Sequence, residues 1–316
     1  IRVDGNPADL HQRIERLVAS TGADAVATDT GWVEKGVSLG SPNVLHVRRP
    51  RVAMAWDRPT RAYSAGATRF VLERQFGYPV TPIRSRNLAG ADISLFDVLI
   101  LPEGSYTSFF DESAVKGLQQ WVRAGGTLIG LGGALGFLTD EKVGFMAVAR
   151  EDKAGGKEAE NGEDKKKAEK AESKVLATEA EYLEAIQPKS QSPDSVPGVL
   201  VTASLDGDHW MTAGLDGTVN AMLRGRNIFS PITLDKGVNA AVLLGPDELL
   251  ASGYLWEENR RQLAYKPLVI VQEHNRGLVV GFTADPNFRA ITDGMNVLFL
   301  NAVFRGPARA RPAVSR

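Results

Sequence analysis

Cysteine is absent from this 316-residue sequence. That excludes disulfides, thiolate nucleophiles and Cys-ligated metals together. It does not fix a compartment, although an oxidising one is compatible with it. Histidine is scarce as well, with only His11, His46, His209 and His274. None falls in an H-x-x-E, H-E-x-x-H or H-x-H arrangement, so no two are aimed at one metal ion. Each reads as a structural or solvated side chain. An excess of either charge is also missing: 37 Lys and Arg face 38 Asp and Glu, a net charge of −1. There is thus no electrostatic reason to propose nucleic acid or an anionic membrane as partner. No apolar run approaches the roughly 18 residues a membrane helix needs, and no signal peptide is visible. The sequence opens with IRVDGN, without an initiator methionine, and is read as a piece or processed form of something longer.

What is present is enough apolar residue, 43% of the chain, for a large core. The first helix signal lies in DGNPADLHQRIERLVASTG. Asn6 suits the cap, Pro7 the first helical position, and Asp9 the first turn. Leu10, Ile14, Leu17 and Val18 form its apolar stripe, and Gly22 stops it. Loop with short extended pieces comes next. Residues 1–50 are read as a connecting segment, a helix plus loop, too small to fold alone and expected to pack on the α/β region after it.

From Arg51 a strand–helix rhythm begins. RVAMAW, VTPIRS, DVLILP and TLIGLGG read as strands. Those without polar alternation point to strands covered on both faces. Between them YSAGATRFVLERQFG reads as a helix with Ala67, Phe70 and Val71 inward. ESAVKGLQQWVRAGG reads as another, with Val115, Leu118 and Val122 inward. This order predicts an α/β fold with a doubly wound, mostly parallel sheet over residues 51–306. A Lys-, Glu- and Ala-rich stretch at about 150–177 interrupts it and reads as a flexible insertion. Near the end, KPLVIVQEHNRGLVVGF predicts a hairpin turning at His274–Gly277. GMNVLFLNAVF predicts a helix burying Met295, Leu298, Phe299 and Ala302, and residues 307–316 are read as a tail.

The chemistry question centres on TLIGLGGALGFL. Gly132-Gly133-Ala134-Leu135-Gly136 has the G-x-nucleophile-x-G spacing of a strand-to-helix elbow, with alanine in the reactive slot. Alanine cannot attack, so no catalytic residue is assigned, and the glycines read as kept for the shape of the turn. The same stretch lacks the Lys-Ser/Thr of a phosphate loop. Ser105 follows a strand but has no visible base. The carboxyl ends of the strands bring Trp56, Asp57, Glu103, Ser105, Asp285, Asn287 and Arg289 into consideration as a binding crevice. Arg289 has the fork geometry for a carboxylate; equally, Asp285-Pro286-Asn287 reads as turn chemistry and Arg289 as half of an ion pair.

The elbow and strand order resemble the class I glutamine amidotransferase-like (flavodoxin-like) fold. In that superfamily the elbow carries Cys and a later strand ends in a His-containing triplet. Here Ala134 stands in the first place and Thr283, Ala284 and Asp285 in the second. The phrases YSAGATRFVLERQFGYPVTPI, FDVLILPEG, WVRAGGTLIGLGGALGFL, GLVVGFTADPNFR and LFLNAVF are similar to the C-terminal region of large bacterial zinc carboxypeptidases of the carboxypeptidase A type. That resemblance implies a non-catalytic accessory region, scaffold or substrate-binding, whose partner is the peptidase domain of the same parent chain. It implies no cofactor in this part of the chain, zinc being expected only in that peptidase domain, and a periplasmic or secreted parent. Two alternatives stay open: a module binding peptide, muropeptide or sugar at the strand-end crevice, and a hydrolase using an unrecognised site there.

Overall fold

The first helix begins one turn later than its cap signals suggest. In the computed structural model, which describes residues 1, 3–41, 44–152, 178–180 and 193–310, helix α1 is Leu10–Thr21, with Asp9 rather than Asn6 at its N-cap. Pro7 lies in the preceding turn, where its carbonyl accepts from Leu10 N at 3.0 Å. Asp9 makes no capping bond; its carboxylate accepts instead from Arg13 Nε, one turn on, at 2.9 Å. Gly22 ends the helix in the left-handed region, φ 69°, and its N–H donates to Val18 O at 2.9 Å. Of the expected stripe only Leu10 is buried. Contacts divide the chain into Ile1–His46 and Val47–Arg316, four residues before the expected boundary.

The second unit is built on one mixed sheet. Its first strands are β1 (Val52–Trp56), β2 (Thr81–Arg84), β3 (Val98–Leu101) and β4 (Thr127–Leu131). Alternate residues of these strands serve opposite faces, as the two-residue period requires. Val52 and Met54 of β1 pack with Val98 and Ile100 of β3 on one face. Ala53, Ala55, Leu99 and Leu101 pack on the other. The first face is covered by α2 (Ala62–Phe70), which continues as a π-helical turn over Val71–Gln75. The second is covered by the helix after the short α3 (Ser85–Leu88), namely α4 (Glu112–Arg123). Val115, Leu118 and Val122 of α4 are buried, as the periodicity predicts, and Asp111 caps it by accepting from Ala114 N at 2.8 Å.

The stripe expected on α2 is wrong in part. Phe70 is 49% exposed and Ala67 half-buried; the buried positions are Ser64, Ala65 and Thr68, followed by Val71 and Leu72. This face is shifted by one position, and it carries two hydroxyls that an apolar pattern does not count.

The rest of the sheet is β5 (Val196–Leu205), β6 (Thr218–Gly225), β7 (Val238–Leu243), β8 (Leu250–Ser252), β9 (Pro267–His274) and β10 (Gly277–Phe282). The order is β2-β1-β3-β4-β10-β9-β7-β5-β6, with β8 beside β5. β1, β2, β3, β4 and β10 pair in parallel. Beyond β10 every pairing is antiparallel. The expected hairpin is β9–β10, closed by Asn275 and Arg276, with Asn275 at φ 55°. After α5 (Leu135–Leu138) and α6 (Glu257–Leu263), helix α7 (Asp293–Arg309) closes the described chain. It buries Met295, Leu298, Phe299 and Ala302 as expected. It also runs through Pro307 to Arg309, so the expected tail is helical at its start; residues 311–316 lie outside the described residues.

Of the insertion at 150–177, residues 153–177 lie outside the described residues as well. Its first positions are tied down. Arg150 bridges Phe229, Glu151 N donates to Ile228 O at 2.8 Å, and Glu151 Oε1 pairs with Lys266 Nζ at 2.5 Å.

Candidate functional site

The elbow at the end of β4 is real, but its special residue is not Ala134. Gly132, the first residue after the strand, takes φ 52°, the left-handed conformation that only glycine adopts at no steric cost. Ala134 is ordinary helical backbone, φ −64° and ψ −22°. It is fully buried in the second-face core with Leu135 and Phe137, so a reactive group there would face the interior. The position whose side chain would enter the cleft is Gly132, buried beneath Glu103: an added Cβ would lie 3.3 Å from Glu103 Cγ. At Gly133 it would meet Glu103 Cγ and Gly104 O, each at 3.4 Å. Gly136 has neither constraint, since its Cβ would meet nothing within 4 Å; the expectation that the turn requires it fails.

Glu103 therefore occupies the space above the elbow. It follows β3 by two residues, and its backbone is fixed on both sides by the start of α2. Arg61 N donates to Glu103 O at 2.7 Å, and Glu103 N donates to Ser64 Oγ at 3.0 Å. Oε2 of its largely buried side chain accepts from the Tyr63 hydroxyl and from Arg224 Nη2 at 3.2 Å. Oε1 lies 3.4 Å from Nε of the exposed Arg61. Burial pushes the Glu103 carboxyl above the usual carboxylate range, against the pull of Arg61. Arg224 is also held by aromatic faces, its Cζ 4.3 Å from the Tyr63 ring centroid and 5.0 Å from that of Phe288. Those two rings meet edge to face at 6.4 Å.

The second acid is Asp285, in the loop after β10. It is 8% exposed, and its Oδ1 accepts from Asn287 N at 2.9 Å. Oδ2 is buried and has no hydrogen-bond partner among the described residues. Burial pushes its pKa to about 6; the Ser64 hydroxyl and the Asn287 N–H pull it down, the Glu103 charge raises it, and Arg224 lowers it. The loop is braced from behind by amides. Asn287 Nδ2 donates to Thr68 Oγ1 at 3.2 Å, and Asn296 Nδ2 donates to Asn287 Oδ1 at 3.1 Å and to Pro286 O at 3.0 Å. The two buried hydroxyls of α2 thus have their explanation: Ser64 and Thr68 are the supports of Glu103 and Asn287.

Glu103, Gly132, Gly133, Met222, Arg224, Asn227, Asp285 and Phe288 are among the residues lining a cleft of about 20 Å³. That is room for about one water molecule, far below the several hundred Å³ that enclose a small-molecule ligand. Of the residues expected to form a crevice, Glu103 and Asp285 line it, and Asn287 supports it from below. Arg289, at φ 52°, is exposed and stacks on Phe288 at 5.5 Å. Three others are elsewhere. Asp57 is an exposed turn residue, 3.5 Å from Arg84 Nη1. Trp56 lies under Arg69, at 5.6 Å, and Ser105 is exposed. No three His, Asp or Glu side chains gather as a metal site among the described residues. No helix there is long and apolar enough to cross a membrane.

Tyr63, Ser64, Arg224 and Phe288 went unnoticed in the sequence. Ser64 had a signal, a hydroxyl at core spacing on a helix. Arg224 had none: its strand β6 lies at the opposite end of the ladder from β2, four strands beyond β10. Arg224, near the end of that edge strand, nonetheless reaches Glu103, two residues past β3, and lines the cleft with Gly132 and Gly133.

No protein-family model and no curated protein matches the chain. Solved structures do. A ThuA-like protein from Parabacteroides merdae ATCC 43184 superposes with a TM-score of 0.51 at 13% identity, over 85% of this chain and 93% of that one. A ThuA-like protein from Bacteroides uniformis ATCC 8492 gives 0.47 at 14% identity, over 85% and 95%. A glutamine amidotransferase from Thermotoga maritima gives 0.42 at 8%, over 83% and 96%. Identities this low speak to architecture alone, and on that level the chain shares the mixed α/β fold of the Parabacteroides merdae protein.

Proposed function

We propose that this chain is a non-catalytic α/β module, with an amidotransferase-like elbow that carries no nucleophile, serving as an accessory region of a larger zinc carboxypeptidase-type protein. The observation that carries the first half is Gly132. The residue of the elbow that faces the cleft has no side chain, and the space above it is taken by Glu103. A nucleophile needs a base within hydrogen-bond reach and room for a reacting carbonyl. The cleft offers two carboxylates, an arginine and space for about one water.

The second half rests on the sequence phrases around β2 to β4, β10 and α7, which are similar to the region after the peptidase domain in such enzymes. Zinc belongs, on this reading, to the peptidase domain alone, and the parent is periplasmic or secreted. The accessory role is scaffold or ligand capture; the outlying Arg289 and the acids of the cleft favour capture enough to keep it as the second reading.

Two measurements test this. The purified chain, assayed on glutamine, p-nitrophenyl esters and short peptides, is expected to turn over none of them. Turnover that Glu103→Gln abolishes would replace the proposal with a hydrolase. In the parent protein, removing residues 47–316 is expected to lower the melting temperature of the peptidase domain or its kcat/KM on long peptides. An unchanged peptidase would sink the accessory role.

A further inference from the structure

In the cleft above the elbow Glu103 is paired with both Arg224 and Arg61, but Asp285 keeps a carboxylate oxygen that neither arginine bonds. Glu103 and Asp285 both line it, and Arg224 is the cation between Tyr63 and Phe288. Arg224 makes one hydrogen bond to Glu103, at 3.2 Å, although a guanidinium has five donors. Asp285 Oδ2, buried beside it, receives none at bonding geometry among the described residues, although the Ser64 hydroxyl acts on the same carboxylate. A buried, unpaired carboxylate oxygen costs free energy, and the loop that presents it is braced by Asn287, Asn296 and Thr68. This is a rigid site carrying an unmet acceptor.

We propose that the cleft is a guanidinium-recognition site in which Arg224 is the intramolecular occupant, and that its external ligand is a guanidinium group such as an arginine side chain of a peptide. This rests on the reading that the cleft binds rather than reacts. The parts match the chemistry. Tyr63 and Phe288 supply π faces, which attract cations, and guanidinium more often than ammonium. Glu103 supplies the charged acceptor, and Asp285 Oδ2 the acceptor that Arg224 leaves unused. A planar fork free of the backbone can reach both carboxylates, which favours it over the tethered one. Displacement is feasible because Arg224 is the penultimate residue of the edge strand β6, with a side chain 37% exposed. It is also required: the cleft of about 20 Å³ has no room for a second guanidinium while Arg224 stays. Occupancy by Arg224 then taxes the external ligand by the fraction of open cleft.

Calorimetric titration of the whole chain with methylguanidinium, n-butylammonium and neutral methylurea tests the proposal. Methylguanidinium is expected to bind Arg224→Ala at least tenfold more tightly than the wild type, since the competitor is gone. It should bind more tightly than butylammonium, methylurea should not bind, and Arg224→Ala combined with Glu103→Gln should lose the binding. Arg224→Met, which keeps the aliphatic stem between the rings, replaces Arg224→Ala if circular dichroism shows the latter unfolded. Absence of binding to a folded Arg224 variant, equal binding of methylurea, or binding that survives Glu103→Gln would each overturn it. None of those outcomes touches the non-catalytic reading, which falls only to turnover.

Discussion

Helix α2, with its continuation to Gln75, and helix α4 cover opposite faces of the same parallel strands, and their buried stripes differ in kind. The stripe of α4 is Ala114, Val115, Leu118, Trp121 and Val122. That of α2 starts with Ser64 and Thr68 before Val71 and Leu72 take over. A buried hydroxyl costs stability unless it is hydrogen-bonded, so α2 tolerates its two because each has a job. Ser64 holds the backbone of Glu103 and Thr68 holds Asn287. One helix is there for the core; the other carries the site on its core face. A polar residue at an apolar position is therefore the more informative of the two patterns.

That contrast can be broken most forcefully from the α4 side. Leu118 is 3% exposed, and Leu118→Ala should cost about 2–5 kcal/mol, the usual range for a truncated core leucine, in urea unfolding. A loss below about 1 kcal/mol would mean that α4 is not a core-forming helix.

The site side predicts the opposite sign. Asp285 has a folded pKa of about 6 against a reference of 3.8, chiefly through burial. The folded state binds the proton more tightly, so stability rises as the pH falls through 6 and the gain is complete below 3.8. At pH 7.5 the ionised carboxylate costs at most about 3 kcal/mol. Asp285→Asn, which keeps the shape and removes the charge, should raise the melting temperature at pH 7.5, with the gap closing towards pH 4. A variant less stable than wild type at pH 7.5 would make Asp285 a structural residue rather than one held at a cost for a ligand.

The smallest effect sharpens the reading of α2 itself. Phe70, expected in the core, is 49% exposed, so Phe70→Ala should shift stability by no more than about 0.5 kcal/mol. A core-sized loss would restore the apolar stripe that the pattern proposed.

Much of the scaffold was legible. The runs VLIL and TLIGL, the capped amphipathic α4, the Asn275-Arg276 turn and the inward face of α7 arise from local patterns whose period matches the backbone. The parallel pairing of the first four strands was legible too, because strand–helix alternation leaves few topologies. The antiparallel strands β5 to β8 were not, since two of them join through chain that carries no strong period. Of the cleft, Glu103 and Asp285 fit a general rule: residues at or just past strand ends in an open α/β sheet lie at its ligand-binding edge. Trp56, Asp57 and Ser105 satisfy the same rule but lie outside the cleft, because position after a strand does not say which way a loop turns.

The elbow shows where local information stops. The spacing of Gly132, Gly133 and Gly136 announces a tight turn after a strand, and the turn is there. Which of its residues faces the cleft depends on the φ of a single position, 52° at Gly132, and on what stands opposite. Composition and periodicity settled the absence of thiol chemistry, the α/β class and the two-faced core, because those depend on residue type and near-neighbour spacing. The pairing of Glu103 with Arg224, 121 residues apart, joins the loop after β3 to the edge strand β6, five places beyond β4 in the ladder. Such a contact depends on the course of the whole sheet, and no window of the sequence is long enough to contain it.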